Sequence, residues 1–163
     1  MINLNQVRPI EILLVEDSPS DTELTVVALA NGKICNHLSM VEDGVQAMAF
    51  LRRQGEYSHA PRPDLILLDW NLPRKNGREV LTEIKTDVNL QAIPVVVLTT
   101  SAAEQDIQCA YALHTNCFIT KPVDYKQFLA IVQVIETFWL TIVNLPSQEQ
   151  PRMQGICTCT VPQ

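Results

Sequence analysis

LILLDWNLPRKNG, residues 65–77, decides how this chain is read. Four aliphatic residues, Leu65 to Leu68, form an apolar run with no polar face. Such a run reads as a strand covered on both sides, the usual state of a parallel sheet. The run stops at a carboxylate, Asp69, and Asn76-Gly77 closes the stretch. In open parallel sheets ligands bind at the carboxyl ends of the strands. An acid at the end of a buried strand is therefore a candidate for chemistry.

Working outward, IEILLV (10–15) reads as a first strand and HLSMV (37–41) as a second. After the strand ending at Leu68 come VVVLT, opened by Pro94, and CFIT (117–120). Helix signals lie between them. Ser18 and Asp21 have capping-box spacing with Pro19 at the first helical position, and Asn31-Gly32 is a stop. Asp43 caps a helix to about Arg53, ended by Gly55. Pro61 and Pro63 make 55–63 a loop. A third helix spans about 77–86. Ser101 and Glu104 predict a capping box before a fourth helix, to about Leu113. Asp124 and Gln127 cap a fifth, to about Asn144. Strand and helix alternate five times, which predicts an α/β fold with a parallel sheet covered on both faces. The expected organisation is an N-terminal extension (1–9), a domain over 10–144 with an extended last helix, and a polar tail (145–163).

Composition narrows the function. Apolar residues make up 47% of the 163 and the net charge is −6 without a basic block, which argues for one globular domain and against nucleic-acid binding. No stretch is apolar enough for a membrane span, and MINLNQVRPIEI carries no signal-peptide pattern, so a cytoplasmic protein without membrane contact is expected. Five cysteines (Cys35, Cys109, Cys117, Cys157, Cys159) lack disulfide spacing and are expected to be reduced thiols. The Cys157-Thr-Cys159 pair is expected to have no function. The same holds for His37, His59 and His114, which show no ligand spacing.

The strand ends carry the informative residues. Glu16 and Asp17 follow strand one, Asp69 ends strand three, Thr99 ends strand four and Lys121 follows strand five. The fold gathers all five on one edge. Carboxylates about 4 Å apart repel by roughly 4 kcal/mol per pair at an effective dielectric near 20. A divalent cation and one ammonium balance three acids. Oxygen-only ligands favour a hard ion, Mg²⁺. Asp69 is then placed to act as a nucleophile toward phosphorus, with Lys121 neutralising charge on the transferring group and the Thr99 hydroxyl donating to one of its oxygens.

On these residues (Glu16-Asp17 in LLVEDS, Asp69 in LILLDWNLP, Thr99 in VVVLTT, Lys121-Pro122 in ITKP) the chain resembles the receiver domains of two-component response regulators. The resemblance covers about residues 10–143 and implies a flavodoxin-like (βα)5 sheet in the order 2-1-3-4-5. It implies a single-domain regulator that takes a phosphoryl group on Asp69 from a sensor histidine kinase, not a conventional enzyme. By the same resemblance, Asp17, Asp69 and the Asn71 carbonyl hold Mg²⁺, and Glu16 acts mainly through metal-bound water. Phe118 takes the place of the switch aromatic, and the bond before Pro122 is expected to be cis. The insert EYSHAPRP and the ending IETFWLTIVNLP are similar to the Rcp-type regulators paired with cyanobacterial phytochromes. This implies a phytochrome-type kinase and light signalling. The sequence departs from the family pattern at Thr100, usually a smaller residue, and at Phe118, which lacks a tyrosine hydroxyl.

From Leu129 to Val143, eleven of fifteen residues are apolar. A helix apolar nearly all round needs cover on more than one side. Phe128, Ile131 and Ile135 are expected on the sheet. Phe138, Trp139, Ile142 and Val143 lack expected cover in the monomer and predict a homodimer surface. Only 17 residues follow Pro146, too few for a DNA-binding domain, so output is expected through protein contacts or onward phosphotransfer. Two rivals remain: an interaction module that never accepts phosphate, and an Asp-nucleophile phosphatase. The phosphatase is disfavoured because Asn71 stands where such enzymes carry a second Asp.

Overall fold

Alternation along each strand divides the core in two. Leu13, Val15, Ile66, Leu68, Val95 and Val97 face one way, against the second, third and fourth helices. Ile12, Leu14, Leu65, Leu67, Val96 and Leu98 face the other way, against the first and fifth. This is the period-two consequence of a strand buried on both faces. The computed structural model describes residues 8–146. The strands are β1 (Ile10–Val15), β2 (Asn36–Val41), β3 (Leu65–Leu68), β4 (Val95–Thr99) and β5 (Cys117–Thr120). The helices are α1 (Pro19–Ala30), α2 (Gly44–Leu51), α3 (Gly77–Thr86), α4 (Glu104–Ala112) and α5 (Tyr125–Thr137). All pairings are parallel, in the order β2-β1-β3-β4-β5. The expected flavodoxin-like topology is the one found. The tail from residue 147, with Cys157 and Cys159, lies outside the described residues, as do residues 1–7.

Most helix starts follow their caps. Ser18 accepts from Asp21 N at 3.4 Å, Asp43 from Gln46 N at 2.8 Å and Asp124 from Gln127 N at 2.9 Å. Asn76 and Glu79 close a full capping box at 3.0 and 2.9 Å, which the sequence reading did not note. The expected Ser101–Glu104 box does not form. Ala103 is the N-cap of α4, without a side-chain cap, and the Ser101 hydroxyl is taken by Asp106. The helix starts at Glu104, which puts Ser101 two residues ahead of the cap position, where its side-chain oxygen accepts only from Ala103 N at 3.4 Å.

Two further expectations are corrected. The peptide before Pro122 is trans, with no cis bond among the described residues. Trans is the lower-energy isomer of an X–Pro amide. The last helix does not run unbroken to Asn144. After Thr137 it widens into a π-turn over Phe138–Ile142, closed by Val143 N to Phe138 O at 2.9 Å. The wide turn rotates Trp139 onto the core formed by β1, α1 and α5, where it is 9% exposed. Val143 and Leu145 pack partly against the same core. Trp139 and Val143 therefore have cover within the monomer, whereas Phe138 and Ile142 remain 47% and 65% exposed.

Candidate metal and phosphoryl-acceptor site

The sheet brings the strand-end residues together. β1 hands the chain to Glu16, which is buried, and to Asp17, which is exposed. Glu16 accepts from Ser18 N at 3.0 Å, and Ser18 in turn caps α1. Asp69 N donates to Val15 O at 3.0 Å, which sets the acid beside the end of β1. Carboxylate oxygens of Glu16, Asp17 and Asp69 lie within 4.8 Å of one another. Thr99 is fully buried at the end of β4, and its hydroxyl accepts weakly from Asn71 Nδ2 at 3.5 Å and Ser101 N at 3.4 Å. Lys121 N donates to Thr99 O at 2.7 Å, which extends the β4–β5 pairing by one step to the lysine.

Lys121 Nζ, itself buried, spans the site. It donates to Glu16 Oε2, to Asp21 Oδ2 at 2.9 Å and to Asp69 Oδ2 at 3.2 Å. Asp21 is a site residue that the sequence reading took only as a helix-start residue. It stands in the first turn of α1, and the packing of that helix beside the strand ends, not a sequence spacing, brings it to Lys121. Glu16, Asp21 and Asp69 thus share one ammonium, with Asp17 beside them and no other cation within ion-pair distance of the four among the described residues.

The charge imbalance shows in the ionisation of the site. Burial pushes the Glu16 carboxyl up from 4.5 to about 7, against the opposing pull of its Lys121 bond, and the Asp69 charge adds to the rise. Burial also works against the Lys121 charge, but the bonds to Glu16 and Asp21 and the Asp69 charge outweigh it and raise its pKa. The ammonium stays charged, and Glu16 is poised to gain or lose a proton near neutral pH. An all-oxygen donor set with surplus negative charge and one exposed acid, Asp17, fits a hard divalent cation.

The surroundings restrict the acceptor. Asp69 Oδ1 takes a hydrogen bond from Asn71 N at 3.1 Å. A Cβ on Gly77 would lie 2.5 Å from Asp69 O and 2.7 Å from Trp70 Cα, so only glycine lets α3 begin this close to the acceptor. Trp70 is buried and meets Phe118 edge-on, with centroids 6.3 Å apart. Phe118 is half-buried against the core. Thr100 is exposed at the rim. Of the predicted residues, Glu16, Asp17, Asp69, Asn71, Thr99 and Lys121 converge, and Phe118 reaches them through Trp70. Phe138 and Ile142 lie elsewhere, at the end of the last helix.

The fold agrees with that of known relatives of this chain. Residues 12–133 match the response regulator receiver domain. The chain is 53% identical over 139 residues to the response regulator Rcp1 of Synechocystis sp., covering 85% of this chain and 95% of that one. The Mn²⁺-bound crystal structure of Rcp1 superposes with a TM-score of 0.83 over 85% of this chain and 100% of that one, at 53% identity. The phosphorylated cyanobacterial phytochrome response regulator RcpA superposes with a TM-score of 0.84 over 86% and 100% of the two chains, at 54% identity. This chain belongs to the response regulator receiver family.

Proposed function

We propose that this protein is a single-domain response regulator that accepts a phosphoryl group on Asp69 from a phytochrome-type sensor histidine kinase in the cytoplasm. The observation that carries the site assignment is Lys121 Nζ, which touches Asp69 and Glu16 beside a three-acid cluster. A carboxylate oxygen of Asp69 attacks phosphorus. The P–N bond to the kinase imidazole breaks, and the product is an acyl phosphate. Lys121 compensates charge on the phosphoryl oxygens, and the Thr99 hydroxyl donates to one of them. Glu16, Asp17, Asp69 and the Asn71 carbonyl would hold Mg²⁺, which supplies further charge neutralisation when bound. The Mn²⁺ in the structure of Rcp1 supports a divalent ion at such a cluster. Relatedness to Rcp1 and RcpA supports the phytochrome pairing. Phe118, packed on Trp70, would relay phosphorylation to the face formed by α4, β5 and α5. A second copy would dock on Phe138 and Ile142, a reading supported by their exposure in the final turn.

The test is intact mass after incubation with Mg²⁺ and a small-molecule phosphodonor. Wild type is expected to gain one phosphoryl group, and Asp69→Asn and EDTA-treated samples none. No addition to the wild type, from the donor or from a phytochrome kinase, would leave an interaction module. Turnover of phosphate esters would point to a phosphatase.

A further inference from the structure

Among the described residues, three non-glycine residues have left-handed backbones: Arg53 (φ 54°), Arg74 (φ 63°) and His114 (φ 66°). Arg53 and His114 follow the ends of α2 and α4, where a left-handed residue lets the next N–H reach back to the helix. Gln54 N donates to Ala49 O at 2.9 Å and Thr115 N to Ala110 O at 3.0 Å. Arg74 ends no helix. It sits in the loop between the acceptor and α3, where a left-handed arginine needs another reason to persist.

Its side chain supplies one. Arg74 Nη1 reaches Asp43 Oδ2 at 3.0 Å, an exposed guanidinium (67%) on a buried carboxylate (3%). The other Asp43 oxygen caps α2 through Gln46 N at 2.8 Å. The backbones meet at the same place, because a Cβ on Gly44 would lie 2.0 Å from Lys75 O. The loop is thus held at three points. Gly77 N closes onto Trp70 O at 3.0 Å, Leu72 is buried, and Arg74 is tied to the start of α2. Asn71 lies between these points, with its N–H on Asp69 Oδ1. Pro73, with its fixed φ, connects Leu72 to Arg74 and transmits the restraint.

We infer that Arg74 is a positioning residue for the cation, its ion pair with Asp43 clamping the acceptor loop against α2 so that the Asn71 backbone is set for metal. This rests on the reading that a divalent cation binds at Glu16, Asp17 and Asp69. A clamp and a simple field effect differ in sign. Removing a positive charge near the site strengthens cation binding through space, and removing a negative charge weakens it. Loss of a clamp weakens binding in both cases.

The test is Mg²⁺ titration of the full chain by calorimetry, beside urea unfolding of the metal-free protein. Arg74→Gly removes the pair and accepts φ 63° without strain. Asp43→Asn removes the charge and keeps an oxygen able to cap α2. Each variant is expected to raise the Mg²⁺ Kd about three- to tenfold, less than the tenfold or more for residues bonded directly to a metal's own ligands, because Arg74 acts through the loop. The double variant is expected to be no worse than either single one, because both break one contact. Arg74→Gly is expected to be as stable as wild type or more so, which separates positioning from general destabilisation. Tighter binding or an unchanged Kd for Arg74→Gly, with wild type binding normally, overturns the clamp and leaves the metal reading intact. Failure of wild type to bind Mg²⁺ overturns both.

Discussion

A single lysine organises the acceptor site. Lys121 reaches three carboxylates supplied by the ends of β1 and β3 and the first turn of α1, and the acids still outnumber it. Glu16 carries the consequence. Its folded pKa, about 7, lies above its ordinary 4.5. The folded state then holds this proton more tightly than the unfolded chain does, so the group's cost to stability is absent below 4.5, builds as pH rises and is complete above about 7. Metal-free protein in EDTA should therefore be more stable at about pH 6 than at about pH 8 in urea unfolding, and Glu16→Gln should flatten that slope. Saturating Mg²⁺ should reverse it, because a bound cation favours the carboxylate and binds only the folded state. A wild-type slope unchanged by Glu16→Gln would show that another group carries the pH dependence.

At the scale of elements, helix starts govern the precision of the site. α3 begins with a complete capping box on Asn76 and Glu79, and Gly77 lies against the backbone of Asp69. Gly77→Ala forces a methyl into backbone 2.5 Å away, which no side-chain rotation relieves. It should cost about 1–3 kcal/mol in urea unfolding and slow phosphorylation of Asp69 by a small phosphodonor. Normal stability with normal phosphorylation would mean that the start of α3 has freedom to shift. The caps Ser18, Asp43 and Asp124 were legible because each is set by residues three apart along the chain. The cap expected at α4 fails because the helix begins at Glu104 with Ala103 at its cap position, two residues past Ser101. The exact first residue of a helix depends on how it packs, which residue spacing does not rank.

At the scale of the molecule, the last helix shows how a local irregularity redistributes surface. The π-turn buries Trp139 with the β1, α1 and α5 core and leaves Phe138 and Ile142 outside. Trp139→Ala should therefore act on the monomer, lowering stability by about 3–5 kcal/mol. The pair Phe138→Asp and Ile142→Asp should leave the unfolding midpoint nearly unchanged and shift light scattering from dimer to monomer. A wild type that is monomeric at high concentration, phosphorylated or not, would remove the dimer from the proposed function. Glu136 belongs to the same region. It is buried and accepts from Ile34 N at 3.0 Å. A Cβ on Gly32 would lie 1.9 Å from its carboxylate. This joins α5 to the turn after α1 across 102 positions of chain.

The sequence by itself determined the order of elements, the parallel sheet and the edge on which Glu16, Asp17, Asp69, Thr99 and Lys121 meet. Strand periodicity and caps are local, and parallel strands with right-handed crossovers leave little freedom in where their carboxyl ends fall. Tertiary structure alone decided that Asp21 joins the Lys121 site, that Arg74 pairs with Asp43 and that Trp139 is core rather than surface. Each depends on the distance and direction between side chains far apart in the chain. Those are set by how helices pack on the sheet and by one widened turn, and neither leaves a periodic trace in the order of residues.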